Sequence, residues 1–214
     1  MGGTIGNNGR ADDTRMVALA TGNVGDSPTP VGGSNSLPVS SPDGFLTVSG
    51  SFTRPADTSA YAAGDRVANA TTGAVVFELT GVGRTGTQSV RIERARLRKS
   101  TKSLANAQFR VHLFRTLPTV GVDDNGVFNT SGALAVSDIS GYIGSIDVTI
   151  DKSGSSSGAG AIGIGAPTTG SGITADMAAT AGHETSLWIV IEALAAYTPG
   201  NAEVFTLTLE MARA

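Results

Sequence analysis

The chain contains no cysteine. Disulfides, thiolate metal sites and cysteine nucleophiles are therefore excluded. Charge is also scarce: charged residues make up 15% of the sequence, against about a quarter in ordinary globular proteins. A net charge of −3 supplies no bulk attraction for nucleic acid or another polyanion. Aromatic residues make up only 5%, with one Trp and three Tyr, which leaves little for stacking on sugars or bases. No apolar run approaches the length of a membrane span. The opening Met1-Gly2-Gly3-Thr4-Ile5-Gly6 lacks the basic start and apolar stretch of a signal peptide. Gly at position 6 also breaks the myristoylation pattern. From these absences we expect a soluble protein made in the cytoplasm of its producing cell.

What the chain has in abundance is glycine, 29 of 214 residues, close to double the usual share. Residues 1–45 are dominated by Gly, Pro, Ser, Asn and Asp, with Pro28, Pro30 and Pro38 favouring extended backbone. One apolar piece stands out there, Met16-Val17-Ala18-Leu19-Ala20. The segment reads either as a disordered tail or as an extended arm ordered by a neighbouring subunit.

Beyond residue 45 the apolar positions alternate with period two, and no long segment sustains a helical period. Strands are expected at Ala74–Thr80, Gln88–Leu97, around Phe109–Phe114, Gly144–Ile150, Leu187–Leu194 and Phe205–Met211. In the second of these the phase slips between Ile92 and Ala95, which predicts a bulge near Glu93 or Arg94. Leu187–Leu194 is apolar on both faces, as in a central strand. The tract 152–182, rich in Ser, Gly and Ala, reads as a flexible loop, either exposed or ordered against a partner, with one short helix possible over Thr174–Ala181. The fold class expected is all-β: a two-sheet sandwich of jelly-roll type over 46–214, preceded by the extended N-terminal arm. An immunoglobulin-like sandwich is the second choice, weakened by the chain's length and its missing Cys–Trp–Cys pattern.

Three patterns invite a chemical reading. Gly81-Val82-Gly83-Arg84-Thr85-Gly86 matches a dinucleotide fingerprint, but a strand and not a helix is expected after it. Asp123-Asp124-Asn125-Gly126 resembles part of a calcium loop, yet lacks the terminal Glu and makes a good turn unaided. The only histidines are His112 and His183, the latter followed by Glu184, and no nucleophile elbow accompanies them. We therefore expect no catalytic residue, no metal and no cofactor. A hydrolase of surface polymers would have to be revived through Asp123, Asp124, His183 or Glu184.

Charge distribution says more. Nine of the fifteen basic residues fall between Arg84 and Arg115, and Glu93 is the only acid in that window. Arg94, Arg96 and Arg98 share one face of a strand. The run reads as a solvated sheet face, a contact with an acidic subunit, a contact with packaged DNA, or protection of a sheet edge. A subunit contact is favoured because the rest of the chain is acidic. The candidate subunit-contact residues are Arg91, Arg94, Arg96, Arg98 and Lys99 in the domain, with Arg15, Met16, Val17 and Leu19 in the arm.

Two stretches resemble virion structural proteins of tailed bacteriophages. One is the arm, Arg15-Met16-Val17-Ala18-Leu19-Ala20 through Leu37-Pro38-Val39-Ser40. The other runs from Phe52-Thr53-Arg54-Pro55-Ala56-Asp57-Thr58 through Tyr61, Gly64-Asp65 and Val67. Similar to that group as well are Arg91–Leu97, Phe109–Phe114, Asp124-Asn125-Gly126 and Tyr142-Ile143-Gly144. The resemblance implies a capsid decoration or cement protein on the capsid exterior, a homo-oligomer with a trimer favoured, binding the major capsid protein. A tail, neck or fibre-associated component that binds a host surface is the alternative. Neither membrane nor nucleic acid is an expected partner.

Overall fold

The computed structural model describes residues 45–83, 89–128, 133–134, 136–156, 160–167, 170–176 and 185–213. All belong to one compact unit, Asp43–Ala214. The arm residues Arg15, Met16, Val17 and Leu19 lie outside the described residues, as do Arg84, His183 and Glu184.

Ten strands run in chain order: β1 Phe45–Thr53, β2 Arg66–Val67, β3 Phe77–Leu79, β4 Ser89–Lys99, β5 Gln108–Phe114, β6 Tyr142–Ser153, β7 Ala161–Gly165, β8 Ile173–Asp176, β9 Leu187–Ala193 and β10 Val204–Arg213. A 3₁₀ turn, Val136–Gly141, precedes β6, and the described residues contain no α-helix. Every strand pair is antiparallel, in the order β1-β10-β4-β7-β6-β5-β9-β2, with β3 also on β9 and β8 also on β4. β6 carries the sheet round, pairing with β5 along one side and β7 along the other. The strands thus form one curled sheet, a half-barrel, where two separate sheets were expected.

Nested pairing organises the curl. β1 pairs with β10, β2 and β3 with β9, β4 with β7, and β5 with β6. The core fills the inside. Phe205, Leu207, Leu209 and Met211 of β10 are buried there, as are Phe109, Val111 and Leu113 of β5 and Ile146, Val148 and Ile150 of β6. The two arms of the curl meet through Phe109 and Phe205, whose rings sit edge to face at 5.4 Å. This geometry suits the aromatic quadrupole.

The expected bulge is present. Glu210 of β10 stands opposite Arg94, and the next residue, Met211, stands opposite Ile92, so Glu93 is the extra residue of β4. That one insertion lets Ile92 and Ala95 both point into the core. β9 is buried along its whole length, because Val76, Phe114 and Phe128 cover its outer face at Trp188 and Val190.

The tract 152–182 is corrected by the structure: it holds the end of β6, all of β7 and all of β8. Thr174–Asp176 lie in β8, where a short helix was considered. Glycine in β7 marks a close backbone approach and not looseness. A Cβ built at Gly163 would lie 2.1 Å from the Thr149 carbonyl oxygen, and one at Gly165 would lie 2.2 Å from that of Asp147. The strand expected over Ala74–Thr80 shrinks to Phe77–Leu79, since 68–76 loops outward between β2 and β3.

Candidate functional site

The outward face of β4 carries the arginines that the sequence singled out. The bulge keeps Arg91, Arg94, Arg96 and Arg98 on that face, with the Arg94 and Arg96 side chains 57% and 40% exposed. Across the strand pair, Glu210 of β10 bonds Arg94 and lies 2.7 Å from Arg96, while Arg91 pairs with Glu93. Glu210 is remote in sequence, so the charge run looked less opposed than it is. Exposed pairs of this kind contribute about 0–1 kcal/mol each. On one side of the arginines lies a row of hydroxyl pairs, Ser49 with Thr208 at 2.7 Å and Ser51 with Thr206 at 2.8 Å. On the other side stand Ile162 and Ile164, partners of Arg98 and Arg96. β4 runs between β10 and β7, so edge protection is not its role.

Lys99 does not belong to that face. It points inward, is fully buried, and its Nζ lies 3.2 Å from Glu203 Oε1 and 2.7 Å from Thr101 Oγ1. Its place among the subunit-contact candidates is therefore corrected: one residue past Arg98 it turns to the inner face, where its acid comes from more than a hundred residues on. Glu203 also accepts bonds from Thr101 Oγ1 and from the Tyr197 hydroxyl. Burial pushes the Lys99 ammonium down from its ordinary value, while Glu203 opposes that shift.

A second buried network mirrors this one. Arg54 Nε donates to the Tyr61 hydroxyl at 2.8 Å, and Arg54 Nη2 to Asp124 Oδ2 at 3.1 Å. The Tyr61 hydroxyl donates to Asp124 Oδ1 at 2.6 Å, which also accepts the Ala68 amide at 2.7 Å. Both tyrosine rings lie under a cation, Arg54 over Tyr61 and Lys99 over Tyr197, each at 5.2 Å. The rings stack on one another at 6.3 Å, and the two backbones exchange hydrogen bonds of 2.8 and 3.2 Å. Burial, then the neighbouring carboxylate, pushes each phenol above its ordinary range. The two cation–tyrosine–carboxylate sets form one clamp at the end of the curl.

The clamp explains two sequence patterns. In the stretch Arg54 to Val67, Asp57 receives Arg54 and the Ser59 amide, Gly64 adopts φ +96°, and Asp65 closes the turn onto the Ala62 amide. These residues build the clamp and its approach. The Asp123–Gly126 pattern is a turn, closed by the Gly126 amide on the Asp123 carbonyl at 3.1 Å. Both Asp124 oxygens are committed to the clamp, and Asp123 Oδ1 accepts the Ala74 amide. β4 follows the Gly81–Gly86 pattern, where a dinucleotide site needs a helix.

Two further features complete the surface. His112 lies on the outward face of β5, with Nε2 2.8 Å from Glu192 and Nδ1 3.4 Å from the Tyr142 hydroxyl. Beside it Arg110 holds Asp147 through two bonds of 2.7 and 2.9 Å, which raise the guanidinium above its ordinary value. Where 68–76 loops out, an apolar groove of about 400 Å³ opens, lined by Phe52, Val67, Val76, Phe77, Trp188 and Val190. Comparison with protein-family models and with curated proteins finds no match.

Proposed function

We propose that this chain is a non-enzymatic structural protein of a tailed-bacteriophage particle, a decoration protein that stabilises the major capsid shell from outside. The observation that carries this reading is the nested strand pairing. Pairing of first strand with last, and so inward, is what results when one long β-ribbon winds on itself as two Greek keys. On this reading the arms of the curl, β1-β10-β4-β7 and β3-β9-β5-β6, are the two sheets of a jelly roll. Viral capsid domains and lectins both use that architecture, so the fold alone does not choose between them.

The side chains favour assembly over sugar binding. Tyr61, Tyr197 and Trp188 are buried, which leaves Tyr142 as the one Tyr or Trp with substantial exposure among the described residues. The second stretch that resembles phage virion proteins, Phe52 to Val67, places Arg54 and Tyr61 in the internal clamp. On this proposal the outward arginines meet an acidic neighbour, and the arm, through Arg15, Met16, Val17 and Leu19, reaches a shell subunit. Each contact then adds interface burial, and the symmetry of the particle repeats it.

The arm is tested by cosedimentation with capsid shells, using the full chain and a chain lacking residues 1–40. The truncated chain should keep its melting transition, since Asp43–Ala214 has its own core, and should lose shell binding. Undiminished binding by the truncated chain would defeat the arm.

A further inference from the structure

Sheet edges expose unpaired amides and carbonyls, and proteins ordinarily blunt them. The two ends of this sheet are treated differently. At one end the edge is broken into β2 and β3, of two and three residues, by the outward loop 68–76. At the other end stands β1, nine residues long, Phe-Leu-Thr-Val-Ser-Gly-Ser-Phe-Thr. It carries no charge, no proline and no bulge, and its pairing with β10 runs unbroken from Phe45 to Thr53. Among the described residues no strand pairs with its other edge.

The core is also less complete on this strand. Leu46, Val48 and Phe52 point inward but are only partly buried, whereas their neighbours on β10 are fully buried. Phe45 is 78% exposed. Another strand laid beside β1 would cover these side chains.

The sequence of β1 matches itself. In an antiparallel pairing of two copies about a two-fold axis at Ser49, Leu46 meets Phe52 and Val48 meets Gly50 on the inner face. Thr47 then meets Ser51, and Phe45 meets Thr53, on the outer face. Every pair joins residues of the same face, so neither apolar row is turned to water. No like charges are brought together. The hydroxyl row of Ser49, Ser51, Thr206 and Thr208 would continue across the junction.

We propose that β1 is a self-association edge, at which a second copy of this chain adds its own β1 and extends the sheet across a two-fold axis. This rests on the proposed function only for the claim that copies touch one another, and it requires no particle. A capsid-binding monomer would overturn the pairing and leave the decoration role standing. A dimer that ignores capsid shells would do the reverse.

Ser49 is exposed and lies on the axis, so one substitution places the same charge twice at the centre of the junction. Facing side chains in such a pair have Cβ atoms about 5 Å apart. Sedimentation equilibrium on the full chain should give twice the chain mass for the wild type. Ser49→Lys and Ser49→Glu should each weaken dimerisation by about fivefold, because like charges directly opposite each other on an exposed face oppose the pairing. Mixing the two variants in equal amounts should restore the double mass, and circular dichroism should show both folded. A wild type that stays monomeric at every concentration overturns the proposal. So does a trimer or other assembly whose mass Ser49→Lys leaves unchanged, or a folded mixture that fails to reassociate.

Discussion

Replacing Asp124 with alanine should destabilise the β domain by about 3–5 kcal/mol, the range for removing one partner of a buried ion pair. The carboxylate is 1% exposed and Arg54 is fully enclosed. Its loss leaves the Arg54 guanidinium without its buried acid and the Tyr61 hydroxyl and Ala68 amide without an acceptor. Each of those groups was desolvated on folding, and none can regain water without opening the clamp. For a domain of this size about 1 kcal/mol corresponds to about 2–4 °C, so a fall of about 6–20 °C in melting temperature is expected. A thermal melt followed by circular dichroism measures it. Substituting both ends with apolar groups of similar volume, Arg54→Met with Asp124→Leu, should recover only part of the loss, because the unpaired Arg54 charge is gone while the Tyr61 hydroxyl and Ala68 amide still lack their acceptor. A melt unchanged by Asp124→Ala would show that the clamp does not hold the fold.

The second large effect is expected at Gly163. A methyl there would sit 2.1 Å from the Thr149 carbonyl oxygen, a backbone atom that no rotamer change can move. Gly163→Ala must therefore push β7 away from β6. Overpacking of this kind costs about 1–3 kcal/mol, and the backbone contact places this site at the upper end. Hydrogen exchange should show the damage locally, with faster exchange at Ile162 and Ile164 than on β9. Unchanged protection along β7 would contradict the close approach.

The same glycine shows why part of the fold was hard to read from sequence. Gly and Ser in a row signal a flexible connection by composition, and the tract 152–182 carries that signal. In β7 the glycines serve the opposite purpose, since they let one strand press against another. Composition cannot separate those two uses, because the reason lies in Thr149 and Asp147 of a neighbouring strand. By contrast, the strands with a clear inside and outside were legible from alternation alone. The bulge at Glu93 was visible because it breaks that alternation, and β9 because both its faces are apolar.

The polar residues followed the same division. Local spacing placed Arg94, Arg96 and Arg98 on one outward face, and the structure puts them there. The acid that pairs with Arg94 and Arg96 is Glu210, and the acid that pairs with Lys99 is Glu203, both on or beside β10 at the far end of the chain. Long-range pairing brings these groups together, so no local window contained the answer. Likewise Asp124 seemed a possible ion ligand until Arg54 and Tyr61, some seventy residues earlier, were brought against it.

The central claim, a capsid decoration role, is tested most directly by counting this chain in purified phage particles. Quantitative mass spectrometry against the major capsid protein gives the ratio. A decoration protein should be present in a fixed, near-stoichiometric proportion to the shell subunits, and should leave when the shell is stripped of its outer layer. A ratio of only a few copies per particle would move the chain to the tail or neck, and absence from purified particles would contradict the account altogether.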